Sequence, residues 1–364
     1  MDHNVGAIIL SAGYSSRMNG FKPLLPVQGE YAVKRCVDLF KNAGIHNIVT
    51  VTGYRSDELI PFVREYNSDY VINENFKEGM YSSAVCGIKK LTETCDISAF
   101  FLLPVDICAI KVCTVQKLMH VYEENPNHII YPSFDGERGH PPLIPSALIP
   151  EIIESKGINS GIKGILEKHE STSVKVPDRG IVLDMDTKDD YERICEYAKY
   201  SYAPDDKEIK CIYEICSVPS NVIEHCMKVS ELSEKIAVLL NEKGAGLDIH
   251  LIKSSALLHD IAKGQNNHAL LGRNIMQQYG YQRVGDIIGE HMDINLESNN
   301  TISEKEIVYL CDKMVKGTQE VTIEERFNIA KEKFKGKPDI IELAFGRIKK
   351  AAIIKSKAEK ILGI

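Results

Sequence analysis

The sequence predicts two domains of different fold class: an α/β domain with a mostly parallel sheet and helices on both faces, followed by an all-helical domain. The chain has 364 residues, more than one hydrophobic core usually serves. Short apolar runs alternate with helical periodicity from residue 5 to about residue 200, whereas only long amphipathic segments follow a polar, proline-containing stretch. We therefore expect the α/β domain at residues 1–200, a linker at 201–212 and the helical domain at 213–364.

Composition narrows the classes of protein that this chain can belong to. The net charge of -7 disfavours nucleic acid as a partner, and no apolar run approaches the length of a membrane span. The opening MDHNVGAII has no basic region of the kind that begins a secretory signal. Ten scattered cysteines without CxxC spacing are typical of reduced core thiols. We expect a soluble, cytoplasmic protein that binds neither nucleic acid nor membrane.

The first apolar strand leads into a loop of small and basic residues, in the segment AIILSAGYSSRMNGFKPLL. Sheets of this Rossmann-like kind bind ligands at the carboxyl ends of their strands. Small residues after the strand let backbone N–H groups approach an anion, while Arg17 can fork onto phosphate oxygens and Lys22 supplies a compact charge. The spacing fits neither a Walker loop nor GxGxxG. These residues alone leave two interpretations open, a phosphate site and an ordinary loop with two solvated cations.

The same segment resembles the signature LxxGxSxRMGxxKxLL of the MobA-like nucleotidyltransferases, and within them the molybdenum cofactor cytidylyltransferases. Asn19 stands where the family has Gly, and Asn tolerates left-handed backbone angles better than most residues. The resemblance implies that Arg17 and Lys22 are catalytic. The matching positions are Leu10, Gly13, Ser15, Arg17, Met18, Lys22, Leu24 and Leu25. The nucleotide-binding residues implied in this segment are Leu10, Ser11, Ala12, Gly13, Ser15, Arg17 and Lys22.

Two acidic segments complete the implied transferase centre. Asp106 ends the apolar run of FFLLPVDICAI, at the position where the family's aspartate holds Mg²⁺; a helix N-cap is the alternative. VLDMDTKDDY resembles the family's DxDTPEDY, so Asp186 is expected as the second metal ligand, with Asp184 as its substitute. Thr187 and Asp190 form a possible helix capping box, so we interpret Asp189 and Asp190 as structural.

Two further segments bear on the substrates. NENFKEGMYSSAVCGI resembles the part that approaches the base and ribose, with Gly79, Met80, Ser82 and Ser83 at the matching positions. A helix start capped by serine explains the same residues. RGHPPLI resembles the family's GHP element, in which Gly139, His140 and Pro141 would face the acceptor molecule.

The resemblance implies that an acceptor phosphate attacks the α-phosphorus of a nucleoside triphosphate and that pyrophosphate leaves. Mg²⁺ on Asp106 and Asp186, with Arg17 and Lys22, would stabilise the charge that develops. Ala12 favours CTP over GTP, because the cytidine-using branch tends to carry Ala there. Molybdopterin is the implied acceptor. A sugar phosphate or phosphocholine is the alternative acceptor, and a non-catalytic carrier that serves an apo-molybdoenzyme is the alternative from another class.

Histidines and aspartates in the helical half form an ordered set. His259 and Asp260 are adjacent within an apolar helical segment, where burial is costly unless a partner such as a metal ion uses both side chains. The set resembles the HD phosphohydrolase superfamily. That resemblance implies His225, His259, Asp260 and Asp312 as ligands of one metal, and His268 and His291 as ligands of a second. His250 lies outside the pattern and is interpreted as structural.

In this implied centre Asp260 bridges two metals and, as a catalytic residue, positions them around an attacking hydroxide. Lys263 lies one turn further on, where it either meets a substrate phosphate as a catalytic residue or is a solvated charge; Lys313 and Arg326 are weaker candidates. One or two divalent ions are expected, and ligands of this kind do not discriminate among Fe, Mn, Co and Zn. The chain as a whole is therefore predicted to be a bifunctional nucleotidyltransferase and phosphohydrolase.

Overall fold

The computed structural model describes residues 4–14, 18, 20–155, 161–296 and 301–364. The chain divides into two compact units, Met1–Lys199 and Tyr200–Ile364, and each is described by itself. In the described residues, no helix is both long enough and apolar enough to cross a membrane.

The first unit alternates strands and helices as the sequence predicts. Its strands are β1 Val5–Ser11, β2 Pro26–Val27, β3 Glu30–Tyr31, β4 Asn47–Thr52, β5 Asp69–Ile72, β6 Ala99–Pro104, β7 Ile129–Phe134, β8 Glu137–Arg138, β9 Leu143–Pro145 and β10 Ser171–Lys175. Its helices are α1 Ala32–Asn42, α2 Ser56–Glu65, α3 Met80–Thr94, α4 Val112–Glu124, α5 Ile149–Glu154, α6 Gly161–Leu166 and α7 Lys188–Tyr200. Single 3-10 turns cover Lys22–Leu24, Phe76–Glu78, Ser146–Leu148 and Arg179–Val182.

The main sheet is mostly parallel, in the order β10-β7-β9-β6-β1-β4-β5. β1 pairs in parallel with both β4 and β6, β4 with β5, and β7 with β10, whereas β9 runs antiparallel to β6 and β7, and β8 pairs with β7. From β1 the chain builds outward to β5 and then returns to the other side of β1. The strand order therefore reverses between β1 and β6, and the carboxyl ends of these two strands frame the crevice in which such sheets bind ligands.

Helices cover both faces of this sheet because its central strands are apolar on both sides. All seven residues of β1 are buried. Ile8 and Leu10 share a core cluster with residues of α3, while Phe101 of β6 contacts Phe40 of α1 at a ring-centroid distance of 5.6 Å. Successive residues of a strand point to opposite faces, so the two sets of contacts belong to the two sides of the sheet.

The second unit is helical, apart from a hairpin of two-residue strands in the described residues. Its elements are α8 Asp206–Ile215, α9 Ser220–Asn241, α10 Ile249–Leu258, α11 His268–Gln278, α12 Gln282–Gly289, α13 Glu304–Lys313, β11 Val315–Lys316, β12 Gln319–Glu320, α14 Ile323–Lys333 and α15 Pro338–Leu362. α9, α10 and α13 pack against one another, and α13 also packs against α15. One continuous apolar core joins them.

The segment 201–212, expected as a linker, holds more than half of α8. Asp205 and Glu208 form a capping box in which each side chain accepts a hydrogen bond from the backbone of the other residue. Ile209 and Ile212 belong to the core of the second unit. The polar composition of this segment thus reflects a well-capped amphipathic helix.

Candidate active sites

The carboxyl ends of β1 and β6 bring the predicted transferase residues to one edge of the sheet. Ala12 and Gly13 follow β1 directly, and Asp106 lies two residues beyond the end of β6. Leu10 and Ser11 at the end of β1 and Ala12 directly after it are buried, so a ligand at this edge could meet their backbone but not their side chains. Ser15 and Arg17, together with Asn19, lie outside the described residues, and their roles stay predictions.

Lys22 connects two carboxylates from distant parts of the chain. Its Nζ lies 2.9 Å from Oδ2 of Asp106 and 2.9 Å from Oδ1 of Asp186. Burial lowers the pKa of Lys22, but the charges and hydrogen bonds of the two carboxylates outweigh it, and the net pKa is raised. Asp184, the predicted substitute for Asp186, has its pKa raised by partial desolvation and by the charges of Asp186 and Asp106. Two carboxylates therefore contact one cationic atom, and the charge of a third acts on the same group.

This donor set fits a hard divalent cation. Mg²⁺ prefers oxygen ligands, is commonly held by one or two carboxylates, and leaves its other positions to water and phosphate. Asp106 and Asp186 supply two oxygens that already share one cation. The neighbouring Asp190 makes different contacts. Its carboxylate accepts hydrogen bonds from Thr187 N at 2.8 Å and Thr187 Oγ1 at 2.6 Å. The predicted capping contact between Thr187 and Asp190 is confirmed.

The start of α3 holds the residues predicted to approach the nucleoside. Gly79 has φ 94°, a backbone conformation that favours glycine, and it precedes the helix directly. Asn73 donates from Nδ2 to Ser82 Oγ at 2.9 Å and to Ser83 Oγ at 3.0 Å. Ser82 and Met80 line a cavity of about 1060 Å³, whereas Ser83 is buried. The sequence interpretation missed Asn73, although its place directly after β5 puts it at the ligand-binding edge.

The segment from Gly139 to Pro141 packs closely against the turn at Ile181. A Cβ on Gly139 would lie 2.5 Å from the Ile181 carbonyl oxygen, and His140 N donates to that oxygen at 2.9 Å. The His140–Pro141 peptide bond is cis. Burial lowers the pKa of His140, and the charge of Asp106 partly opposes the effect. Its Nδ1 is buried with no hydrogen-bond partner in the described ranges.

In the second unit, six predicted ligands come together in the interior. All but His268 are buried, and His268 is partly buried. They lie on or next to five helices: His225 on α9, His259 and Asp260 directly after α10, His268 at the start of α11, His291 after α12 and Asp312 on α13. The sequence places His259 within a continuing helix, but α10 ends at Leu258. The helix end leaves the Ala256 carbonyl free to accept a hydrogen bond from His259 Nδ1 at 2.8 Å.

Backbone carbonyls orient three of the imidazoles. His225 Nδ1 lies 2.8 Å from the Gly317 oxygen, and His291 Nδ1 lies 2.7 Å from the Ile288 oxygen, as His259 Nδ1 does from Ala256. A proton on each Nδ1 leaves the Nε2 lone pair free to bind a metal, the usual arrangement of metal-ligating histidines. His259 Nε2 is buried with no hydrogen-bond partner in the part of the chain that the structure describes. An unpaired buried acceptor of this kind is costly, and a metal ion would satisfy it.

Asp260 stands between two groups of nitrogen atoms. Its Oδ2 lies 3.5 Å from His259 Nε2 and 3.9 Å from His225 Nε2. Its Oδ1 faces the other way, 3.4 Å from His268 Nε2 and 3.6 Å from His291 Nε2. The carboxylate can therefore bridge two ions, one in each group.

Asp312 completes the first group. Its Oδ1 lies 3.2 Å from His225 Nε2 and 3.5 Å from His259 Nε2. The combination of imidazole nitrogens and carboxylate oxygens fits Mn, Fe, Co or Zn. The predicted ligand set of both metals is thus brought together, and its donor chemistry fits the ions expected.

Two lysines contact these carboxylates. Lys263 Nζ donates to Asp260 Oδ2, and Lys313 Nζ donates to Asp312 Oδ2 at 2.5 Å and to the His291 carbonyl at 3.0 Å. Burial would raise the pKa of Asp312, but the Lys313 charge and the contacts with His225 and His259 hold it well below its usual range. Burial would likewise raise the pKa of Asp260, but its contacts with His268 and His291 outweigh that effect, and the net pKa is lowered. Both carboxylates are therefore ionised and ready to bind a cation.

A cavity of about 460 Å³ opens beside this cluster. Its wall includes the cluster residues Asp260, His268, His291 and Asp312. Basic residues on its wall are Lys263, Lys313, Lys316, Arg326, Lys333 and Arg347. The sequence interpretation names Lys263, Lys313 and Arg326 but misses the other three. They form no local motif, because the hairpin, α14 and α15 bring them together only through tertiary packing.

The first unit is a mostly parallel α/β domain whose clustered carboxylates could hold a divalent cation, and the second is a helical domain with a His/Asp cluster that could hold a metal ion. Residues 7–173 match the family described as MobA-like NTP transferase domain, and residues 222–316 match the HD domain family. The chain therefore joins a MobA-like NTP transferase domain to an HD domain, and the family prediction is confirmed. Together these two domains indicate an enzyme.

This chain is similar to several known proteins. The molybdenum cofactor cytidylyltransferase of Escherichia coli (strain K12) is 27% identical over 191 residues, 51% of this chain and 93% of the relative. An uncharacterised protein of Methanocaldococcus jannaschii is 27% identical over 137 residues, 33% of this chain and 80% of the relative. The solved structure of a nucleotidyl transferase from Methanothermobacter thermautotroptrophicus is 16% identical, with a TM-score of 0.48, over 55% of this chain and 100% of that chain.

Proposed function

We propose that the first domain transfers a nucleotidyl group from a nucleoside triphosphate, with CTP preferred, to a phosphorylated acceptor in the cytoplasm. An acceptor phosphate oxygen forms a bond to the α-phosphorus, the bond from that phosphorus to the bridging oxygen breaks, and pyrophosphate leaves. The observation that carries this proposal is the convergence of Asp106 and Asp186 on Lys22 Nζ, at 2.9 Å each. A lysine at this position can neutralise phosphate charge, and the two carboxylates can hold a divalent ion that does the same.

Each residue of this centre has a distinct task. The backbone from Ser11 to Gly13 cradles phosphate oxygens, and Lys22 with Arg17 offsets the charge of the phosphates. Asp106 and Asp186 would hold Mg²⁺, which would further neutralise the charge of the leaving pyrophosphate. His140 and its neighbours face the acceptor.

CTP and molybdopterin are the substrates that we propose. Ala12 is the residue typical of the cytidine-using branch, and the Escherichia coli relative that spans 51% of this chain is named a molybdenum cofactor cytidylyltransferase. An apo-molybdoenzyme would then receive the product. The same active-site chemistry would also serve an acceptor such as a sugar phosphate or phosphocholine.

For the second domain we propose metal-dependent hydrolysis of a phosphate ester. The two oxygens of Asp260 face different histidine pairs, which supports two ions with a shared carboxylate. Such ions lower the pKa of a bound water so that it can attack phosphorus near neutral pH. Lys263, which contacts Asp260, lines the cavity and can meet the substrate phosphate.

The transferase proposal is tested by pyrophosphate release from the full chain with Mg²⁺. CTP and GTP are each supplied with molybdopterin, a sugar phosphate or phosphocholine. Asp106→Ala should abolish release, whereas the matched loss of charge in Asp189→Ala, at an exposed position, should not. Release that survives Asp106→Ala would contradict the proposed centre. Partner activation that survives without any turnover would favour the carrier alternative.

The hydrolase proposal is tested with the same Asp106→Ala background, in which nucleotidyl transfer is silent. The chain is stripped with a chelator and reloaded with Mn²⁺, Fe²⁺, Co²⁺ or Zn²⁺, and phosphate release is followed with nucleotides and p-nitrophenyl phosphate. His259→Ala should abolish release, whereas His120→Ala, at an exposed position of helix α4 in the first unit, should leave it unchanged. Equal release from both variants would refute the proposed centre.

A further inference from the structure

The cavity beside the His/Asp cluster is built by parts of the chain beyond the HD domain match. That match ends at residue 316, whereas α14 and α15 lie at Ile323–Lys333 and Pro338–Leu362. These two helices supply most of the cavity wall opposite the cluster residues. The candidate metal ligands therefore lie within the matched range, while much of the remaining cavity lining comes from helices beyond it.

Four basic side chains on this wall, called here the cationic wall, have no carboxylate within 4 Å among the described residues. They are Lys316, Arg326, Lys333 and Arg347. Other lysines of α15 are paired: Lys350 lies 2.5 Å from Asp293, and Lys357 lies 2.9 Å from Glu306. Within the described lining, the acidic residues are Asp260 and Asp312, which belong to the His/Asp cluster. Positive charges clustered around a concave surface attract an anion.

The same cavity has an apolar side. Its apolar lining includes Ile329, Phe334, Ile340, Leu343 and Ile348. Leu343 is 64% exposed and Ile340 is 42% exposed, so both present apolar surface to solvent at this place. Lys333 Nζ lies 5.3 Å from the centroid of the Phe334 ring, which places charge and aromatic surface side by side. A ligand with an anionic part and a flat apolar part matches both surfaces.

We propose that α14 and α15 select the substrate of the HD domain, and that this substrate carries two or more linked phosphates and a planar heterocycle. The inference rests on the proposed hydrolase function. One phosphate meets the metal cluster, where a water oxygen bonds to phosphorus, the ester oxygen leaves, and the proton of the water passes to the leaving group. The cationic wall holds the remaining phosphates, and the apolar side holds the heterocycle. A lone monophosphate would leave the cationic wall without a counter-charge.

Binding at this cavity can be measured separately from the first domain because the chain contains no tryptophan. The Leu343→Trp variant places one indole at an exposed position of the cavity, and its fluorescence reports this site alone. CMP, CDP and CTP are titrated into the full chain after metal removal. Affinity should rise by about tenfold or more from CMP to CTP, the worth of one charge-assisted hydrogen bond, and should weaken with salt. Phe334→Trp provides a second reporter on the same wall.

The cationic wall is tested by Arg347→Ala and Lys333→Ala in the Leu343→Trp background. Each should remove most of the preference for CTP over CMP, whereas Lys331→Ala, an exposed lysine of α14 outside the cavity, should keep it. With metal restored, p-nitrophenyl phosphate hydrolysis by Lys331→Ala should stay within about twofold of the Leu343→Trp chain, because Lys331 lies outside the cavity lining.

Equal affinity for CMP and CTP in both reporters, or a preference that survives both alanine substitutions, would overturn the inference. A clear CTP preference without hydrolysis under any of the four metals would instead overturn the proposed hydrolase function and leave the binding surface supported. The two failures are therefore distinguishable.

Discussion

Metal binding should stabilise the helical unit, and His259 is the residue that reports it best. The His259 Nε2 atom is buried without a partner among the described residues, a situation that costs about 1–3 kcal/mol. An ion that binds the folded chain at one hundred times its Kd adds about 2.7 kcal/mol to the free energy of unfolding. The ion both satisfies this nitrogen and offsets the charges of Asp260 and Asp312.

The expected rise in unfolding temperature follows from the size of the unit. Tyr200–Ile364 comprises about 165 residues, for which 1 kcal/mol corresponds to about 2–4 °C. Saturating metal should therefore raise Tm by about 5–11 °C. Differential scanning calorimetry of the full chain, first with a chelator and then with Mn²⁺, Fe²⁺, Co²⁺ or Zn²⁺, measures this difference directly.

Two histidine substitutions make the test specific. His259→Ala should lose at least about half of the metal-dependent rise, because it removes one ligand from the first group while the second group remains. His120→Ala, on the exposed surface of α4, should keep the whole rise. Each variant is compared with itself in the metal-loaded and metal-free states. The loss of stability caused by any cavity is the same in both states and therefore cancels from the difference in Tm. An unchanged rise in His259→Ala, or no rise with any of the four ions, would refute the assigned centre.

Three further changes test other parts of the structure. Lys22→Met should lower the rate of pyrophosphate release by about 10²–10³-fold, since it removes the cation between two carboxylates. Gly139→Ala should cost about 1–3 kcal/mol in denaturant unfolding, because a Cβ meets the Ile181 carbonyl, whereas Gly346→Ala in the open interior of α15 should be neutral or stabilising. Burial raises the pKa of Cys311 to about 12, so iodoacetamide should label it only after denaturation, as mass spectrometry would show.

The alternation of apolar runs and helical periodicity was sufficient to predict the fold class, because it reflects burial on both faces of a parallel sheet. The two antiparallel strands β8 and β9 are only two and three residues long, too short to show a period. The helix α8 could have been predicted, since Asp205 and Glu208 have the spacing of a capping box. The polar character of that segment favoured a linker instead.

In the helical unit, the sequence reveals the candidate metal ligands but not the basic residues of the cationic wall. Metal ligands must be particular residue types, so His225, the His259–Asp260 pair and Asp312 leave a recognisable order along the chain. Cations that face a cavity can come from any helix that reaches it. Lys316, Lys333 and Arg347 have no fixed spacing, and only the packing of α14 and α15 brings them together.

In each unit, a lysine contacts carboxylates that are candidate ligands of a divalent ion. Carboxylates that must later bind a divalent ion repel one another, and in each unit a lysine ammonium offsets this repulsion: Lys22 between Asp106 and Asp186, and Lys263 on Asp260. A lysine suits this task because it is a compact charge on a flexible stem, whereas the rigid fork of arginine would bind a carboxylate with two parallel hydrogen bonds. The ammonium groups thus hold the carboxylates in place in the folded chain, and Lys263 also lines the cavity beside its cluster.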